Sequence, residues 1–251
     1  MNYILNNLFD NKNVLHSFTT RSSGCSEAPY NTLNLAFHVN DNAANVLKNH
    51  QNLAEDLGYH YQELVHMRQI HSDKIVIVDP TIHNFENPPE CDALITNQTN
   101  IPLMVMTADC TPVLFYDPKK KIIAVAHAGR AGALKGIVPK TIEQMQNKFG
   151  SILTDIQVVL GPSIGACCYE VGEKIVNEVT EQGYGLSVVY ENGQYSLDVN
   201  TIIIKQLQTL GLPKKNLEDL GICNACHNKT YFSYRADKQI TGRIAGILML
   251  L

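Results

Sequence analysis

The sequence predicts an α+β fold, a layered mixed-sheet sandwich in which residues 1–251 form a single domain. Three observations predict it. Strand-like apolar runs and helical periodicity alternate only in part, which favours mixed sheets over a regular doubly wound array. No internal repeat or low-complexity linker divides the 251 residues. An apolar fraction of 45% against 18% charged residues is that of a globular chain long enough to bury a sizeable core.

An opening segment runs to about residue 45. The apolar spacing that follows predicts a helix over Ala43–Leu57, stopped by Gly58. Strands are expected at Lys74–Val78, Ile101–Thr107, Val113–Tyr116 and Lys121–Ala126. The last two are joined by a hairpin-like DPKKK turn, where Pro118 stops the preceding strand. A helix should begin just after Gly129, and Pro139 either kinks it or marks the first turn of a second helix reaching Phe149. Ile156–Leu160 reads as a strand that empties into the loop GPSIGACCYEVG. Helices near Glu173–Gln182 and Val199–Leu210 come next, the second closed by Gly211-Leu212-Pro213. Strands at Tyr231–Tyr234 and Arg243–Leu250 finish the chain.

A net charge of −4 gives no electrostatic reason to expect nucleic acid, and the basic runs at 119–121 and 214–215 are short enough to be solvated turns. The N-terminus lacks the basic start and apolar stretch of a signal peptide. The apolar C-terminal IAGILMLL is too short to cross a bilayer, which takes about 20 residues, and reads as a buried strand. No membrane partner and a cytoplasmic location are therefore expected. Seven cysteines in such a chain suggest reduced thiols rather than a disulfide framework. Cys223-Asn-Ala-Cys226-His227 fits the C-x-x-C-H pattern of haem attachment, but export is not signalled; a structural zinc there lacks a second C-x-x-C. These thiols and the vicinal Cys167-Cys168 are expected to be inert.

Chemistry concentrates at three places. His71 in QIHSDKI, Cys110 in MTADCTPVLF and His127 in AVAHAGRAG each stand where a short strand runs into a turn. Two imidazoles and a thiolate make a three-ligand metal set with a fourth position left for water or substrate, as catalytic zinc requires. Without metal, the same residues would serve as a Cys110 nucleophile activated by His127, for amide hydrolysis. Copper is less fitting, because a multicopper centre needs many more histidines and none of the nine forms a His-x-His pair.

The ordered set SFTTRSSG, NLAFHVND, QIHSDKI, CDALIT, TADCTPVLFYDP, AVAHAG, LGPSIGACCYEVG and YFSYRADKQITGR resembles the YfiH-type family, also called the laccase-domain or polyphenol oxidoreductase family. The resemblance covers nearly the whole chain. It implies a layered α+β sandwich related to Cys/His toxin-type deamidases, with metal ligands at His71, Cys110 and His127. It further implies a zinc-dependent purine nucleoside phosphorylase acting on adenosine, inosine and methylthioadenosine, with adenosine deaminase activity beside it, or alternatively a cell-wall-precursor editing partner that need not be an enzyme. The family's usual continuation of His-Ala-Gly is Trp-Arg-Gly; here it is Arg130-Ala131-Gly132, in a chain without tryptophan.

Phosphorolysis passes through an oxocarbenium-like sugar and needs phosphate held beneath it. Arg21 in the TTRSSG turn, Arg130, and the helix start after His127 are the expected phosphate donors. Arg235 and Arg243 rank behind them, because an arginine in a strand usually pairs with a surface carboxylate. Deamination needs a proton-carrying carboxylate. Asp92 is preferred to Asp109, whose side chain should point away from the Cys110 face if strand alternation holds. The expected partners are purine nucleosides and phosphate, with the protein acting as a monomer or a homodimer.

Overall fold

A computed structural model describes all residues 1–251. In chain order the strands are β1 Tyr3–Ile4, β2 Val14–Thr19, β3 Ile75–Ile77, β4 Ala93–Thr96, β5 Leu103–Thr107, β6 Thr111–Asp117, β7 Ile122–Ala128, β8 Gln157–Leu160, β9 Glu170–Val171, β10 Val188–Glu191, β11 Gln194–Leu197, β12 Leu217–Asp219 and β13 Ile244–Leu250. The α-helices are α1 Ala43–Leu57, α2 Arg130–Leu134, α3 Ile137–Phe149, α4 Glu173–Glu181 and α5 Val199–Leu210. No helix is long and apolar enough to cross a membrane.

Two main sheets face each other. One is the antiparallel set β1-β2-β13-β5; the other is six-stranded, β12-β8-β6-β7-β4-β3, with parallel pairs only at its two edges. A small antiparallel sheet, β10-β11-β9, lies apart. Alternation along β6 and β7 explains the layering: Leu114, Tyr116, Ile123 and Val125 pack against Phe18, Val105 and Leu248 of the facing sheet. Their neighbours Val113, Phe115, Ala124 and Ala126 pack against Ile137, Ile142 and Ile202 from the helices α3 and α5. The outer face of the four-stranded sheet, with Met104, Ala245 and Ile247, is covered by Leu53 and Ala54 of α1 and by Leu33, Leu35 and Leu64. The result is a helix–sheet–sheet–helix stack, in agreement with the expected mixed-sheet α+β fold. Strands buried on both faces read as near-continuous apolar runs, which is why β6, β7 and β13 were visible in the sequence.

Helix α1 has the expected bounds. Asn42 caps it by accepting the Ala44 N–H, and Gly58 closes it at φ 80°. Pro139 stands in the first turn of α3, where a missing N–H costs nothing, rather than kinking one long helix. The strand expected at Tyr231–Tyr234 is instead a turn region. Tyr231 and Phe232 are buried there beside Ala108 and Ile244, so their aromatic character serves packing rather than sheet pairing. The β10–β11 hairpin has a weak strand signature in the sequence, because its strands are short, partly exposed and polar at their ends.

Candidate metal centre and cavity

The chain crosses from one main sheet to the other between β5 and β6, and the chemistry gathers at that crossing. Pairing of β6 with β7 puts Pro112 opposite His127 and Thr111 opposite Ala128, so the next step sets Cys110 across from Gly129. Pairing of β4 with β7 puts Ala93 opposite Ala126, so Asp92 lies across from His127, whose N–H donates to the Asp92 carbonyl at 2.8 Å. Three sequence-distant motifs are thus cross-strand neighbours. His71 arrives from a loop with φ 57°, anchored by Gln69, whose amide exchanges hydrogen bonds with the backbone of Met106 at 2.8 and 2.9 Å.

The donor atoms of His71, Cys110 and His127 lie within 4.8 Å of one another, with Cys110 Sγ 4.0 Å from His71 Nε2. Nitrogen and sulfur ligands on one tetrahedral zinc stand roughly 3.5 Å apart. The donor set therefore fits a zinc ion with modest closure. Gly129 makes room: a Cβ there would come within 2.8 Å of Cys110 Sγ and 3.3 Å of His71 Cδ2. The glycine of the His-Ala-Gly motif is required by close approach, not by its φ of −74°.

Asp92 is the keystone. Its buried carboxylate accepts from His127 Nδ1 at 2.9 Å, from the N–H groups of His71 and Ser72 at 3.0 and 2.6 Å, and from the Ser72 hydroxyl at 2.7 Å. Burial alone would raise its pKa, but hydrogen bonds from His127 and Ser72 hold it down at about 2. Fixing Nδ1 directs the other nitrogen of His127 toward Cys110. Burial disfavours the Cys110 thiolate, yet the adjoining His127 and His71 bring its pKa to about 6. Burial likewise disfavours a charged His127, and the thiolate and Asp92 together raise it to about 9.

A cavity of about 920 Å³ opens over this cluster. Its walls carry Arg68, Arg130, Arg235, Lys238 and Arg243, against a single carboxylate, Asp109. The protein is acidic overall, so the sign of the charge reverses locally at this cavity, which favours anions. Arg235 donates to the carbonyls of Cys168 and Glu170, and its guanidinium lies 5.2 Å from the Tyr169 ring centre. Arg243 donates to the carbonyls of Thr241 and Gly242. Neither has a carboxylate within ion-pair distance, unlike Arg130, which pairs with Glu178.

Two expected roles shift on this geometry. Arg21 does not line the cavity: its guanidinium donates to the carbonyls of Asn31 and Asn228, pairs with Asp237 at 3.3 Å and covers the Phe232 ring at 4.5 Å. Asp92 also does not line it, and its oxygens are already committed to orienting His71 and His127. The carboxylate that does face the cavity is Asp109. Its φ of 97° breaks the strand alternation that was expected to turn it away. Ser233 and the Arg235 N–H bind it at 2.6 Å each; burial outweighs them and raises its pKa. Helix α2 is only five residues long, which leaves little macrodipole after His127.

Comparison with known proteins agrees with this architecture. The chain is 34% identical over 246 residues to a purine nucleoside phosphorylase of Corynebacterium glutamicum, covering 96% of each chain. It is 31% identical to the purine nucleoside phosphorylase YlmD of Bacillus subtilis, over 95% of this chain and 89% of that one. The crystal structure of the YfiH protein of Bacillus licheniformis superposes with a TM-score of 0.90 at 30% identity, covering 95% and 93% of the two chains. Residues 15–251 match the family model described as multi-copper polyphenol oxidoreductase laccase, and the chain belongs to that YfiH-like family.

Proposed function

We propose that residues 1–251 act as one domain and one enzyme: a zinc-dependent purine nucleoside phosphorylase that accepts adenosine, inosine and methylthioadenosine, with adenosine deaminase as a second activity. The observation that carries the reading is the juxtaposition of a His/Cys/His donor cluster with a cation-lined cavity in an acidic protein. The names of the relatives from C. glutamicum and B. subtilis point to the same reaction.

His71, Cys110 and His127 would hold the zinc, which supplies Lewis-acid polarisation and activation of water. Zinc is preferred to the copper of the family description, because only His38, His71 and His127 of the nine histidines line the cavity. Asp92 acts as a positioning residue. Arg235 and Arg243 would receive phosphate, with Arg130 beside them, since their donors face the cavity without a paired carboxylate to release in the first two. Tyr169 and Tyr234 offer flat rings at the same wall for a purine. Asp109, the carboxylate that lines the cavity, would carry a proton during deamination.

A second reading has one observation in its favour. Cys110, His127 and Asp92 stand in the order nucleophile, base and orienting carboxylate, with the thiol pKa lowered to about 6. A metal-free thiol hydrolase would use that arrangement.

One assay separates the readings: adenosine, adenine, inosine and ammonia followed together, with and without phosphate, before and after removal of metal by a chelator. On the phosphorylase reading, metal removal and Cys110→Ala each abolish both activities. Arg243→Ala should lower phosphate-dependent adenine release tenfold to a hundredfold, about 1.5–3 kcal/mol, and ammonia release far less. Turnover that survives complete metal removal would favour the thiol hydrolase instead.

A further inference from the structure

Outside the cavity, four thiols meet that the chain keeps far apart. Cys167 and Cys168 belong to the Gly161–Tyr169 loop, Cys223 and Cys226 to the segment after β12, and the Sγ atoms of all four lie within 4.8 Å of one another. Cys226 Sγ is 3.4 Å from both Cys167 Sγ and Cys168 Sγ. None of the four lines the cavity over His71, Cys110 and His127. The vicinal pair supplies the second pair of ligands that the C-x-x-C spacing alone lacks.

We infer that Cys167, Cys168, Cys223 and Cys226 form a second metal site, a tetrathiolate that takes one soft divalent cation, zinc above all, and clasps two loops together.

The geometry suits that occupant. Sulfurs bound to one tetrahedral zinc at about 2.3 Å stand roughly 3.8 Å apart, close to the spacing seen here. A disulfide needs about 2.05 Å, and it would use only two of the four thiols. The two loops are already fixed against each other. Ser163 N–H donates to the Ile222 carbonyl and Asn224 N–H to the Ser163 carbonyl, both at 3.1 Å. The Gly165 N–H points at Cys223 Sγ at 3.4 Å, the kind of backbone donor that supports a thiolate. Arg235 sits on the Cys168 carbonyl at 3.3 Å, placing a positive charge beside a centre that would carry two negative charges with zinc bound. Cysteine binds zinc as the thiolate, so loading would release protons.

The clasp would also matter to the cavity. Ile164 and Tyr169 come from one loop, and Tyr234 and Arg235 follow directly from the other; all four line the cavity wall. A metal joining the loops closes a long stretch of chain and so disfavours the unfolded state.

The test is zinc content and sulfur coordination in full-length protein purified under reducing conditions with zinc. Wild type should hold about two zinc ions per chain. Cys110→Ala should keep one, and X-ray absorption on that variant should show sulfur alone in its shell, at about 2.3 Å. Cys223→Ser combined with Cys226→Ser should lose that zinc and melt earlier. Iron bound by the same four sulfurs would support the site with a different ion. Cys110→Ala protein that is folded, contains no metal and shows Cys167, Cys168, Cys223 and Cys226 all reacting freely would overturn the inference, as would a disulfide from Cys226 to Cys167 or Cys168 in freshly purified wild type. The absorption measurement stands even if the double serine variant does not fold.

Discussion

The His71/Cys110/His127 cluster stands on the ends of paired strands, whereas the four cysteines hang between two loops. The difference is in their supports. His127 is held by a buried carboxylate directly across the sheet, and Cys110 lies across from Gly129 in the neighbouring strand pair. The cysteines have a backbone N–H, an arginine on a carbonyl and two backbone hydrogen bonds between their loops, but no buried carboxylate behind them. A centre that must keep one coordination position open needs ligands oriented from behind, since the open position contributes no restraint. A centre closed by four thiolates restrains itself, and two loops are then enough.

Asp92→Asn attacks that support and should have the largest effect. The amide would set its own N–H donors against those of Ile70, His71, Ser72 or His127, leaving a buried clash where five donors now converge. Zinc retention at the first centre should fall tenfold to a hundredfold in a chelator competition, with sulfur-only zinc unaffected. Asp92 also links the centre to pH. Its folded pKa of about 2 is below the ordinary 3.8, so its contribution to stability is complete above 3.8 and lost as pH falls through about 2. That contribution is about 2 kcal/mol, so the stability advantage of wild type over Asp92→Asn in denaturant titrations should shrink by about this much between pH 7 and pH 2, the variant lacking this titration. Equal zinc retention by the two proteins would mean that His127 is oriented by the strand alone.

The glycines beside the two clusters offer a smaller, cleaner contrast. A Cβ at Gly129 would sit 2.8 Å from Cys110 Sγ, while one at Gly165 would sit 3.4 Å from Cys167 Sγ, an ordinary contact. Gly129→Ala should therefore displace the Cys110 thiol and lower turnover about tenfold, within the 1–3 kcal/mol that overpacking costs. Gly165→Ala should leave turnover and sulfur-bound zinc within about twofold of wild type. The comparison fails if both variants behave alike.

The fold was legible where strands are buried on both faces and where helices carry their own stops, as at Gly58 and Gly211. It was not legible in YFSY, because aromatic residues packed in a turn carry the same composition as a strand. At the site, the motifs around His71, Cys110 and His127 marked the donors, but the meaning of CDALIT needed the register of β4 against β7. Strand alternation turns Asp109 away from the site, a rule that a residue with positive φ does not obey. Motifs alone rank Arg21 first, whereas the cavity is lined by Arg130, Arg235 and Arg243, and of these only Arg130 is paired with a carboxylate. The four-thiol cluster reads in the sequence as two unrelated pairs, because nothing local says that residues 167–168 and 223–226 meet.

Arg21 and Arg243 carry the sharpest form of that lesson, since they are the same residue in surroundings that give it opposite uses. Arg21 spends its donors on two carbonyls and Asp237, outside the cavity. It ties the TTRSSG turn to the segment around residues 228–237, whose end carries Arg235 into the cavity wall. Arg21→Ala would strand the Asn31 and Asn228 carbonyls and uncover Phe232, which costs about 1–3 kcal/mol of stability. Its effect on catalysis should be the smallest of these variants: phosphate-dependent adenine release and ammonia release should fall together, by less than about threefold, below the temperature at which the variant begins to melt. Raising the phosphate concentration should not restore it, whereas Arg243→Ala should show a raised phosphate KM. A raised phosphate KM in Arg21→Ala at a temperature where it is fully folded would return the anion site to the TTRSSG turn.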